Sequence, residues 1–363
     1  MAHDAGPAPR DHSWSGTSVL RGGGCSETGD RETGGRRAPM RGNLAAIDLG
    51  TNNCRLLIAR PEGDQFVIVD AFSRIVRLGE GLAATGCLSE AAIDRTISAL
   101  SVCAEKLRRR RVALARSVAT EACRQAANGA EFVARVQAET GIMLDVISAR
   151  EEARLAVLGC QSLLEAGDGP ALIFDIGGGS TELVLLEGHG GSLCIVDWLS
   201  APFGVVSLAE TVAGHDDGPT ARAAAYADMR ARIESAFAGF ARRLPGASGQ
   251  RLLGTSGTVT TLASVHLGLP RYDRQAVDGL LVPTGDMRDI ARRLSGMSLA
   301  ERTGLPCIGE ERADLVVAGC AILEGIIDIW PAARLGVADR GIREGILRAL
   351  LDAGANRRLG RSG

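Results

Sequence analysis

The sequence predicts an α/β protein built from two duplicated lobes that face one another across a cleft. Residues 171–186 (ALIFDIGGGSTELVLL) match residues 44–59 (LAAIDLGTNNCRLLIA) without a gap at an offset of 127. That shift is about one domain length, which marks a duplicated lobe rather than a short solenoid repeat. From Leu44 onward, strand-like and helix-like patterns interleave. At 363 residues the chain also exceeds a single core, since domains usually hold roughly 100 to 200 residues.

The elements follow in order. Residues 1–42 are rich in Gly, Arg, Ser and Pro without helical or strand periodicity, so they read as a disordered tail that cannot offset its ordering entropy. Met40 precedes the first convincing strand, which makes it an alternative start of translation. LAAIDLG and CRLLIAR read as two strands around a polar turn, and QFVIVDAFSRIVRL as further strand. SEAAIDRTISALSVCAEKLRRRR reads as an amphipathic helix with Ser89 as N-cap. A strand (VALARSVAT), a helix near 129–140 and a short strand (MLDVIS) complete the first lobe. SAREEARLAVLGCQSLL (148–164) is a helix whose Ser148 and Glu151 have capping-box spacing. We expect lobe I over 43–165 and lobe II over 166–355, with the last helix packing back on lobe I and a disordered C-terminus over 356–363.

Composition narrows the function. A net charge of −2, from 41 basic and 43 acidic residues, provides no global field for nucleic acid or an acidic membrane, so any anion site must be built locally. Nine scattered cysteines with no C-x-x-C pair fit reduced thiols in a cytoplasm and argue against zinc. No apolar run reaches membrane-spanning length. KLRRRR (106–111) fits a solvated helix end whose cations complement the helix dipole, with a polyanion-docking patch as the alternative. No G-x-S-x-G elbow or Walker-type GK[ST] appears.

The chemistry concentrates in three glycine-bearing turns. In DIGGGSTE (175–182), Gly177, Gly178 and Gly179 remove every Cβ from a strand-to-strand turn, so backbone amides can form a nest for phosphate. Ser180 and Thr181 add hydroxyls, while Asp175 and Glu182 flank the turn as candidate Mg²⁺ contacts. The partner turn places Asp48, Gly50, Thr51, Asn52 and Asn53 in the same order, with Arg55 where the second copy has Glu182. Arg55 reads equally as a phosphate contact or an edge-strand surface residue. A third turn, LLGTSGTVTTLA, puts Gly254, Ser256, Gly257 and Thr258 at a strand-to-helix junction, where helix N-terminal amides attract an anion. Read alone, Glu152 is explained by helix-dipole complementarity or by a general-base role, and Arg124 by an anion clamp or a helix-face cover.

These segments together resemble the exopolyphosphatase and guanosine pentaphosphate phosphohydrolase (Ppx/GppA) family of the actin, sugar-kinase and Hsp70 superfamily. The resemblance runs from about Leu44 to Leu351, through AAIDLGTNNCRLLIA, ATEACRQAAN, ISAREEARLAVLG, FDIGGGSTELV, LLGTSGTVTTLA, GEERADLVVAGCAILEGI and VADRGIREGIL. It implies actin-like, ribonuclease H-like lobes and hydrolysis of a terminal phosphoanhydride by water with Mg²⁺. Glu152 would be the water-activating base, Arg124 a phosphate contact, and Asp175 and Glu182 contacts to metal and water. Polyphosphate is the expected substrate, with pppGpp as the alternative; a kinase or ATPase and a silent phosphate or alarmone sensor are readings from other classes. The first turn has Thr51-Asn52-Asn53 where many members carry Ser-Asn-Ser, and the C-terminal helical domain of longer members is missing, which leaves a homodimer open.

Overall fold

The computed structural model describes residues 19–20, 42–189, 192–212, 218–246 and 249–359. The expected tail therefore lies outside the described residues, except for the two-residue strand β1 (Val19–Leu20), which pairs antiparallel with residues 193–194.

Lobe I carries a five-stranded sheet of β2 (Asn43–Leu49), β3 (Asn53–Glu62), β4 (Gln65–Ile75), β5 (Val112–Ala119) and β6 (Leu144–Val146), in the order β4-β3-β2-β5-β6. Lobe II adds β7 (Ala171–Ile176), β8 (Thr181–His189), β9 (Ser192–Ala201), β10 (Arg251–Thr255), β11 (Leu281–Pro283) and β12 (Arg334–Ala338). Its order, β9-β8-β7-β10-β12, repeats that of lobe I, with β1 and β11 added at the edges. In both lobes the first three strands form an antiparallel meander, and the first also pairs parallel with the fourth. The repeat read from 16 residues is thus a repeat of whole sheets.

Local signals explain the helices. The Ser89 hydroxyl accepts from the Ala92 amide at 3.3 Å and starts the Glu90–Arg109 helix, whose cationic end is tied down: Lys106 and Arg110 each lie 2.8 Å from the partly buried carboxylate of Asp70. These hydrogen bonds pull Asp70 down to about 2. Ser148 caps the Ala149–Cys160 helix through the Glu151 amide. The reciprocal half of the expected capping box is not what occupies Glu151, whose carboxylate pairs with Arg116 and Arg154 at 2.9 and 2.7 Å, because guanidinium partners outcompete one neutral amide.

Two helices lie between the sheets and exchange partners. The Ala149–Cys160 helix, in sequence the end of lobe I, buries Ala153, Val157 and Cys160 against Ile173, Val184 and Leu253 of lobe II. The final Ile342–Leu359 helix buries Ile342, Ile346, Leu347 and Leu351 against Leu44, Leu57 and Val118 of lobe I. It runs four residues past the boundary expected at 355. The two helices cross at glycines: a Cβ on Gly159 would lie 1.9 Å from the Gly341 carbonyl oxygen, and one on Gly345 would lie 2.0 Å from that of Leu155. Elsewhere the lobes are bridged by Arg77–Asp314 at 3.1 Å and by the Gly81 amide donating to Glu210 at 2.9 Å.

Candidate active site in the interlobe cleft

The two turns that repeat in sequence also repeat in geometry. The Gly50 amide donates to the Asn53 carbonyl at 2.9 Å, and the Gly177 amide to the Ser180 carbonyl at 2.9 Å. Strand register sets Asp48 opposite Arg55 in lobe I and Asp175 opposite Glu182 in lobe II. Outside each turn, neighbouring amides hold the turn carbonyls. Val76, Arg77 and Gly79 donate to Asn52 and Thr51, while Val205 and Val206 donate to Gly177 and Gly178. Among the described residues the amides of Thr51, Asn52, Gly178 and Gly179 donate to no acceptor, as an anion nest requires.

The turns meet across the cleft. A Cβ on Gly178 would lie 3.0 Å from Thr51 Cβ, and one on Gly179 would lie 2.6 Å from Thr51 Oγ1. Glycine is therefore needed here for the approach of the other lobe. The cleft has an empty volume of about 1170 Å³, its open mouth included, and is lined by both turns, by Asp48, Arg55, Glu152 and Asp175, and by Ser256, Gly257 and Thr258 of the third turn.

Four expected site residues do not line it. Gly254 lies inside β10, where a Cβ would strike the Phe174 ring at 2.4 Å, so its role is core packing rather than phosphate contact. Thr181 is fully buried and its hydroxyl donates to the Phe203 carbonyl at 2.9 Å, a bond that removes it from the phosphate. Glu182 is buried and accepts from Ser200 at 2.9 Å. Arg124 makes four hydrogen bonds within the protein. It donates to Glu121 Oε2 through Nε and Nη2 at 2.9 and 2.5 Å, and through Nη1 to the Ile147 carbonyl and Glu152 Oε2, both at 2.8 Å. It holds the carboxylate of Glu152.

Charge in the cleft is divided. Burial and mutual repulsion raise four carboxyls. Asp175 is pushed up to about 7 by burial, Glu152 and Asp48, and Glu182 to about 8 by burial and Asp175. Glu152 is raised well above its ordinary range by burial and Glu182, against the pull of Arg124. Asp48 is raised by burial and held back by Arg55 and Arg343. Such crowding favours a cation. Asp48 and Asp175, the equivalent acids of the two lobes, both line the cleft and offer the hard oxygen donors that magnesium takes, one or two at a time with waters and phosphate oxygens. Among the described residues no group of three or more His, Cys, Asp or Glu is placed to hold a metal alone.

Arginines form the other side. Arg55 extends from lobe I to the third turn, its Nη2 3.6 Å from where a Gly257 Cβ would stand. Sequence reading missed Arg343, in the first turn of the final helix, which also lines the cleft. Its pKa is lowered chiefly by burial, with Arg55 adding to the effect. Among the described residues neither arginine has a hydrogen bond or ion pair, although both attract the Asp48 carboxylate, so both are available to an anion. At the third turn, Ser256 has a φ of 122°, a conformation rare for a residue with a side chain. Its buried hydroxyl has no partner, nor does the buried Asn52 Oδ1. Backbone strain and unpaired polar atoms gather where a ligand would supply the missing bonds.

Known proteins resemble this chain over most of its length. Residues 57–353 match the model of the Ppx/GppA phosphatase family. Exopolyphosphatase 2 of Mycobacterium tuberculosis is 34% identical over 322 residues, which cover 85% of this chain and 98% of that protein. The guanosine-5'-triphosphate,3'-diphosphate pyrophosphatase of Aeromonas salmonicida is 29% identical over 317 residues, covering 85% of this chain and 59% of that one. The crystal structure of the Aquifex aeolicus Ppx/GppA family member superposes with a TM-score of 0.70 at 29% identity, covering 86% of this chain and 98% of that one.

Proposed function

The chain belongs to the Ppx/GppA phosphatase family, and from that membership we propose that it is an exopolyphosphatase, releasing orthophosphate from the end of inorganic polyphosphate by direct attack of water. One observation carries the reading: a single cleft is lined by turn amides and two arginines that have no hydrogen-bonding partner among the described residues, together with the carboxyls of Asp48, Glu152 and Asp175. That arrangement suits an extended polyanion whose end is neutralised and whose remainder stays charged.

In this reading Glu152 takes a proton from the attacking water. Burial and the nearby Glu182 raise its affinity for that proton, while Arg124 fixes the carboxylate. The amides of Thr51, Asn52, Gly178 and Gly179 surround the terminal phosphoryl group, where preorganised donors stabilise charge as it shifts to the leaving oxygen. Arg55 and Arg343 bind phosphates further along the chain. Mg²⁺, held by Asp48 and Asp175, would neutralise phosphate oxygens in the transferred group. No protein nucleophile is required. No helix among the described residues is long and apolar enough to cross a membrane, and the eight described cysteines are all free thiols. We place the protein in the cytoplasm on that basis.

The test is purified protein with Mg²⁺ and, in parallel, long polyphosphate, pppGpp and ATP, with free phosphate measured. Release from polyphosphate fastest of the three is expected. Preference for pppGpp would move the assignment to the nucleotide hydrolases of the same family, and silence on both would end the hydrolase reading.

A further inference from the structure

We propose that Glu121 is a positioning residue for catalysis, acting on the water-activating Glu152 through Arg124. Both of its carboxylate oxygens are used. Oε2 accepts from Nε and Nη2 of Arg124 at 2.9 and 2.5 Å, and Oε1 accepts from Gln125 Nε2 at 2.6 Å. The two-pronged contact fixes the guanidinium plane, and the other edge of that plane carries Nη1 to Glu152 Oε2 at 2.8 Å. Glu152 is only 7 % exposed, and Arg124 is the one hydrogen-bonding partner its carboxylate has among the described residues. The orientation of the base is therefore set by Arg124, and the orientation of Arg124 by Glu121 and the Ile147 carbonyl.

Glu121 has a second contact that ties this chain to the other lobe. A Cβ on Gly179 would come within 3.4 Å of Glu121 Cγ, so the glycine turn of lobe II lies directly against it. Glu121 is not among the residues that line the cleft. Its i, i+3 spacing from Arg124 on the short Glu121–Gln125 helix is visible in sequence, but the role depends on Glu152, 31 positions further along.

The inference rests on Glu152 being the base, and the experiment separates the two ideas. Steady-state kinetics on polyphosphate with Mg²⁺ are measured for wild type, Glu152→Gln, Glu121→Ala, Glu121→Gln and the Glu121→Ala/Glu152→Gln double variant, with thermal unfolding to confirm folding. Glu152→Gln should lower kcat by about 10²-fold or more. Glu121→Ala should lower kcat roughly 10- to 100-fold with little change in KM, the usual cost of a group misplaced by about 1 Å. Glu121→Gln, which keeps an oxygen acceptor for the guanidinium, should recover part of that loss, and it stands in should the alanine variant not fold. In the Glu152→Gln background, Glu121→Ala should have no further effect. Wild-type kcat for Glu121→Ala, or two losses that multiply in the double variant, would overturn the positioning role alone. Wild-type kcat for Glu152→Gln would overturn the base and this inference with it.

Discussion

Replacing Gly159 by Ala adds one methyl group at the point where the lobes are joined. Gly159 lies on the helix that lobe I contributes to lobe II, and its missing Cβ would stand 1.9 Å from the Gly341 oxygen and 2.9 Å from the Gly345 nitrogen. Both atoms are backbone of the final helix or its entry, so no side-chain rotation relieves the clash. Ordinary contact begins near 3.4 Å, so the helices must part by about 1.5 Å. Overpacking of this kind costs about 1 to 3 kcal/mol. The catalytic cost should be larger, because the same helix carries Glu152 and the other leads into Arg343. A shift of about 1 Å at reacting groups costs on the order of 10²-fold in rate. Urea unfolding and phosphate release from polyphosphate would measure both effects. Gly285→Ala is the control: that helical glycine has nothing within 4 Å of its Cβ position, and alanine there should stabilise by about 0.5 to 1 kcal/mol. If Gly159→Ala matched wild type in both stability and kcat, the crossing would not set the geometry of the cleft.

Two further outcomes follow from the charges. Arg343→Ala removes an unpaired cation from the cleft without breaking an internal ion pair, so the fold should hold while KM for polyphosphate rises roughly 10-fold or more, as for loss of a hydrogen bond to a charged group; an unchanged KM would remove Arg343 from the binding site. Asp175 has a folded-state pKa raised from 3.8 to about 7, so the folded protein binds the extra proton between those values. Stability in a chelator should therefore fall as pH rises from about 4 to about 7 and then level off, with Asp175 contributing at most about 3 kcal/mol between pH 5 and pH 8. Asp175→Asn should flatten that fall, and added Mg²⁺ should recover stability at pH 8 in wild type more than in the variant. Equal pH dependence in the two proteins by urea unfolding would show that Asp175 is not buried and uncompensated.

Part of the site was legible because its signals are local. Ser89 and Ser148 announce helix starts through a bond three residues away, and the strand-turn-strand units at 44–59 and 171–186 carry their own turn chemistry. Aligning the copies also located the Arg55-for-Glu182 exchange, and strand register places both opposite an equivalent Asp. The proposal that Glu152 is a base came from resemblance, since a glutamate in a first helical turn has a sufficient local explanation.

The sequence by itself determined the duplicated α/β lobes and the two Asp-bearing glycine turns, because each copy carries its strand-turn-strand signal within a few positions. Only the tertiary structure decided which of those residues face the cleft. Thr181 turns to Phe203 and Gly254 to Phe174, while Arg124 is consumed by Glu121, Glu152 and a carbonyl. It also brought Arg343 beside Arg55 and set the glycines of one turn against Thr51 of the other. The last two contacts join positions more than a hundred residues apart, and their partners are chosen by how two sheets and two crossing helices pack, which no local pattern records.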